Sequence, residues 1–89
     1  MSLDFAVQEL ERAVSILTTH PGRILERLMT ARMEPLSHIE REDIPERWRE
    51  QFDQIMKQLN ALDSLDEDDG VHLATLMEDL LAVLDDELI

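Results

Sequence analysis

The sequence predicts an all-α protein, a compact bundle of about four amphipathic helices over residues 3–18, 21–33, 45–62 and 71–88. Three observations carry that reading. Apolar residues recur at intervals of three and four in each stretch, proline or glycine stands near the breaks, and no alternation of apolar and polar residues lasts long enough for a strand. At 89 residues the chain has the length of one domain, expected to span 1–89. Phe5, Trp48 and Phe52 are its only aromatic residues, so Leu, Ile, Val, Met and Ala must fill the core.

The first helix rests on Leu3, Val7, Leu10, Val14 and Leu17, whose spacings of 4, 3, 4 and 3 draw one apolar stripe. His20, Pro21 and Gly22 interrupt it. Proline has no amide to donate inside a helix but suits a first turn, so the second helix is expected to start at Pro21. Its apolar residues Ile24, Leu25, Leu28, Met29, Ala31 and Met33 spread over roughly 200° at about 100° per residue. Such a helix needs cover from several neighbours or from a second subunit. Arg32 falls inside this arc and is expected either to fray with the last turn or to reach a carboxylate on another helix. Pro35 ends the helix by disfavouring helical backbone at Glu34.

Residues 35–44 form a long connection, with Ser37 and Glu40 at the spacing of a capping box for one short turn. Asp43, ahead of Ile44, Pro45 and Glu46, reads as the N-cap of the third helix, its carboxylate expected on the Glu46 amide. Trp48, Phe52, Ile55, Met56, Leu59 and Leu62 then share a stripe roughly 120° wide. Residues 63–70 read as an acidic break whose Asp66, Glu67, Asp68 and Asp69 lie near the positive end of the next helix. From Val71 onward, Leu73, Leu76, Met77, Leu80, Leu81, Leu84 and Leu88 cover about half the wheel of a fourth helix.

Charge is unevenly placed. Residues 1–60 hold all eight Lys and Arg against 11 Asp and Glu, whereas residues 61–89 hold ten acids and no base, within a net charge of −13. That field repels nucleic acid and anionic lipid, so direct nucleic-acid binding and membrane association are not expected. No apolar run approaches the ~20 residues of a membrane span, and the acidic start lacks the basic and apolar regions of a signal peptide. The absence of cysteine excludes disulfides, thiolate metal sites and a cysteine nucleophile, and suits the cytoplasm.

Catalytic and metal chemistry find no constellation, and neither an enzyme activity nor a cofactor is expected. With Gly70 as the sixth position of a calcium loop, the first ligand would be Leu65 and the twelfth Leu76, neither of which can coordinate. His20, His38 and His72 fall in separate breaks or at helix edges, and only Asp69 and His72 come near a Glu-x-x-His spacing. Glu50 and Asp53 share the spacing of acidic pairs that hold magnesium in all-α nucleotide pyrophosphohydrolases, but they sit opposite Trp48 and Ile55 with no companion motif, so a hydrolase is a distant alternative. Two glycines cannot make a phosphate cradle. Arg23, Arg27, Arg47 and Arg49 are expected to pair with Glu26, Glu46 or the C-terminal acids rather than with phosphate.

What remains is apolar surface. Phe5 and Ile16 lie roughly 180° from the stripe of the first helix, so they are expected to be covered by the long connection or to form an interface. Met29 and Met33 join them as expected interface residues, because flexible thioethers tolerate imperfect packing. The expected function is a small protein-interaction or regulatory domain whose partner is another protein or a second copy of itself, most simply a homodimer. An acidic nucleic-acid mimic, or an antitoxin-like inhibitor of a basic protein, is the alternative.

Overall fold

The computed structural model describes residues 2–89, among which there are four α-helices and no strand. Helix α1 spans Leu3–Thr19, α2 Ile24–Met33, α3 Glu46–Leu59 and α4 Glu67–Glu87; 3-10 turns fall at Leu36–His38, Arg41–Asp43 and Leu62–Ser64. The all-α bundle expected from periodicity is the fold observed.

Two helix starts differ from expectation, each for a local reason. Helix α2 begins at Ile24 rather than at Pro21, because Gly22 has φ 102°, a left-handed backbone that a glycine adopts freely and an α-helix cannot contain. Helix α4 begins at Glu67 rather than at Val71. Asp66 is its N-cap: its Oδ1 accepts the Asp69 amide at 2.8 Å, while Asp69 Oδ2 accepts the Asp66 amide at 3.3 Å. This reciprocal box turns the expected acidic break into the first turn of the helix, where the positive end of the dipole favours Glu67, Asp68 and Asp69.

Gly70 is therefore helical, and it is buried. A Cβ there would stand 2.9 Å from Leu25 Cδ2 and 3.1 Å from Ile24 Cγ2. Its missing side chain lets α4 approach the start of α2 more closely than any other residue would.

Helix α4 packs against all three of the other helices, and α1 packs against both α2 and α4. Most of the broad apolar face of α4 is thereby absorbed: Leu73, Ala74, Met77, Leu80 and Leu84 are buried, Leu76, Leu81 and Val83 lean on the same core, and Val71 and Leu88 stay exposed. On α1 the buried face is rotated slightly from the expected stripe, with Ala6 and Ala13 fully buried and Val14 half-buried. Alanine at those points allows short interhelical distances. Helix α3 contributes Phe52, Ile55 and Leu59, and the connection before it contributes Pro35, Leu36, Ile39 and Ile44. That long connection is thus a packed part of the core rather than a loose strap.

Candidate functional site

Apolar surface is left on α2, as it is at Val71 and at Leu88 and Ile89 by the two ends of α4. Helix α2 buries Ile24, Leu28 and Ala31, leaves Leu25 and Met29 half-buried, and leaves Met33 67% exposed. Leu25 and Met29, one turn apart, form one wall of a groove of about 420 Å³; Leu62 and Leu65 of the α3–α4 connection form the other. Glu26 and Asp63 complete the lining, one on each wall, and both are exposed.

The connection holds its wall by local bonds. Leu62 is buried at the start of the Leu62–Ser64 turn, Ser64 Oγ donates to the Ala61 carbonyl at 2.8 Å, and the Leu65 amide donates to the Leu62 carbonyl at 3.1 Å. Leu65 then adopts extended backbone and stands half-buried between this groove and a second one of about 400 Å³ lined by Gln54, Lys57, Gln58 and Ala61.

Arg32, beside Met29, ties α2 to the end of α3. Its Nη1 donates to the Leu59 carbonyl at 3.3 Å, and its Nη2 lies 3.3 Å from Met29 Sδ. Neither fraying nor a carboxylate partner describes it. The guanidinium instead meets the unsatisfied carbonyls at the C-terminus of α3, where the helix dipole favours a cation.

Of the four expected interface residues, Met29 lines the groove and Met33 lies one turn further along α2. Phe5 and Ile16 on α1 are half-buried, Ile16 rests against the core, and neither lines the groove. Leu25, Leu62 and Leu65 do line it, although periodicity marks the first two simply as helix-facing. Nothing in the sequence marks Leu65, because a 3-10 turn after α3 aims it.

Two carboxylates buried in the fold also escape sequence reading in their roles. Glu9 is 6% exposed; it accepts Arg12 Nη1 at 2.7 Å and stands 3.2 Å from His38 Nδ1, tying the connection to α1. Asp43 does not cap α3. It is buried in the Arg41–Asp43 turn and accepts the Glu40 amide at 3.1 Å, while Pro45 precedes α3, which has no side-chain cap. Burial pushes the Asp43 carboxyl up, but hydrogen bonding, that from the Glu40 amide included, helps hold it below its ordinary value.

The remaining arginines are largely committed within the chain. Arg27 Nη1 donates to the Leu17 carbonyl at 2.6 Å and Arg49 Nε to the Ile44 carbonyl at 2.8 Å, so these two meet backbone rather than the expected carboxylates. Arg47 pairs with the C-terminal acid Glu87, which also accepts Trp48 Nε1 at 3.0 Å, and its guanidinium lies 5.4 Å from the Trp48 ring. Asp53 pairs with Arg41 at 2.9 Å.

Among the described residues no group of His, Asp or Glu is placed to hold a metal ion, and no helix is long and apolar enough to cross a membrane. No protein-family model, curated protein or solved structure matches the chain.

Proposed function

We propose that this protein works by binding another protein chain and has no chemistry of its own. The observation that supports this most directly is the groove between α2 and the α3–α4 connection, walled by Leu25, Met29, Leu62 and Leu65. Its charged lining is two exposed carboxylates on opposite walls, with no histidine, serine or lysine side chain beside them in the lining. Covering a half-exposed leucine or methionine with a partner's side chain contributes on the order of 1 kcal/mol, so Leu25, Met29 and Leu65 supply the apolar centre of a docking point and the contacts around it must supply the rest of the affinity. Affinity capture from native lysate with wild-type and Met29→Asp protein tests this reading. A partner retained by the first and lost by the second is expected; an identical partner set for both would move the function away from this groove.

Self-association is the second reading, and exposed Met33 favours it by continuing the apolar strip of Met29. A two-fold dimer is the commonest closed form. Two chains of charge −13 repel one another, so apolar self-association tightens as salt rises. Light scattering in about 150 mM and about 500 mM salt should then show mass growing towards two chains, with Met33→Asp and Phe5→Asp holding it at one. One-chain mass in both buffers ends this second reading and leaves a different chain as the partner.

A further inference from the structure

We propose that the groove between α2 and the α3–α4 connection receives a basic amphipathic helix from a different protein. This inference rests on the protein-binding reading and adds the chemistry of the partner.

The apolar part of the groove sets the shape of the occupant. Leu25 and Met29 are spaced by one helical turn along one wall, Leu62 and Leu65 face them, and the space between is about 420 Å³. A helix laying one apolar face there presents anchors at i, i+3 or i+4, and i+7, of which two or so aliphatic side chains enter a space of this size. Met29 can adapt to either leucine or isoleucine anchors because an unbranched thioether side chain has several accessible rotamers.

The charged part of the groove sets the sign of the occupant. The two charged side chains in the lining, Glu26 and Asp63, are both acids, one on each wall. Beyond Leu65 the chain continues through exposed Asp66, Glu67, Asp68 and Asp69. The capping box engages Asp66 and Asp69 through neutral amides, which leaves their charges unneutralised. Arg32 keeps its charge as well, since it donates to the neutral Leu59 carbonyl, but it is one cation against these six acids and is not among the residues that line the groove. An anchor helix flanked by Lys or Arg on both sides therefore places cations against acids on both walls while its apolar face fills the middle.

A second copy of this chain lacks that chemistry. Its Arg41 and Arg47 are paired with Asp53 and Glu87, and its exposed Arg23 and Lys57 stand on different helices, at the start of α2 and on α3, so they do not flank one apolar helix face. It would also bring 21 further acids towards an acidic rim.

The test is fluorescence anisotropy with a labelled synthetic helix carrying leucines at i, i+3, i+4 and i+7 and Lys and Arg on its flanks. A twin with the same leucines and Glu on its flanks serves as the comparison. The full-length protein is titrated in about 50 mM and about 300 mM salt. It is titrated again as Glu26→Lys/Asp63→Lys, and as Glu78→Lys/Asp79→Lys, which makes the same change in net charge on exposed positions of α4. The basic helix is expected to bind the wild type, to weaken with salt, to lose about tenfold or more with the groove pair and only about twofold with the α4 pair. Equal losses for the two pairs would show attraction to the general acidic field and overturn the proposal. Equal binding of the acidic twin would overturn the basic chemistry while leaving protein binding in place. Two-chain mass that tightens with Glu26→Lys/Asp63→Lys would make a second copy the occupant and overturn it too. If neither helix binds and Met29→Asp captures the same partners as wild type, the protein-binding reading of this groove falls with it.

Discussion

Helices α2 and α4 look alike in the sequence and behave differently in the fold. Both are apolar over about half of the wheel or more. They bury similar shares, six of 21 residues in α4 and three of ten in α2, yet the half-buried Leu25 and Met29 of α2 wall a groove that the half-buried Leu76 and Leu81 of α4 do not line. The reason is position. Helix α4 has neighbours on three sides, so a wide face is what it needs; α2 leans mainly on α1 and α4 and turns Leu25, Met29 and Met33 towards the surface. The same width of apolar arc thus goes mostly to core contacts in one helix and partly to a groove wall in the other. Their starts differ as well: Asp66 and Asp69 close a capping box on α4, while Arg23 offers α2 no side-chain cap.

The sharpest way to break this comparison lies within α2 itself. Leu28 is fully buried and Met33 is 67% exposed, although both are large apolar residues of one helix. Leu28→Ala should cost about 2–5 kcal/mol in urea unfolding through lost transfer energy and a residual cavity. Met33→Ala should stay within about 0.5 kcal/mol of wild type. Similar costs for the two would mean that α2 is covered on both faces, and the groove would cease to be a free surface.

A smaller effect belongs to the point where the two helices meet. Gly70→Val places branched carbons where Leu25 Cδ2 and Ile24 Cγ2 already stand, and overpacking of this kind costs about 1–3 kcal/mol. Leu25 has the groove to move into, so the variant should also change binding at the groove more than its stability loss explains. Unchanged stability in thermal unfolding would show that α2 shifts away from α4 without penalty.

The smallest expected effect is at the capped end of α4. Asp66→Ala removes the side chain that accepts the Asp69 amide, and should cost about 0.5–2 kcal/mol. Amide exchange should quicken over the first turn of α4 and leave α2 unchanged. Protection retained at Asp69 would show that the helix holds its start by packing of Gly70 alone.

Much of this was legible from residue order. Intervals of three and four made α1 and α3 readable almost to their ends, because an apolar stripe and a helix surface share one period. Position 22 marked a turn between α1 and α2, although the φ of Gly22 moved the helix start past Pro21 to Ile24. The acids at 66–69 were recognised as favourable near a helix N-terminus, but that the helix already includes them depends on the reciprocal bonds of Asp66 and Asp69. Asp43 misled for a related reason. An aspartate ahead of Pro45 has the pattern of a cap, yet its carboxylate turns back to Glu40 inside a short turn that local pattern does not distinguish from an N-cap.

The candidate groove was legible only in part. Met29 and Met33 stood out because α2 carries more apolar residues than one face can bury, a consequence of the helical period alone. Phe5 and Ile16 stood out by the same reasoning, and the packing around α1 leaves them half-buried and away from the groove.

The sequence by itself determined the helical class, the number of helices, the acid-only final third and the surplus of apolar residues on α2, since each depends on residues near one another in the chain. Tertiary structure alone decided where that surplus ends up. Leu65 meets Met29 across a groove because a 3-10 turn redirects the chain after α3, and Gly70 admits Leu25 because two helices converge there. Arg32 reaches a carbonyl 27 residues away. Contacts between distant segments depend on how whole helices pack, and the local periodicity of 3.6 residues carries no information about which neighbour a face will meet.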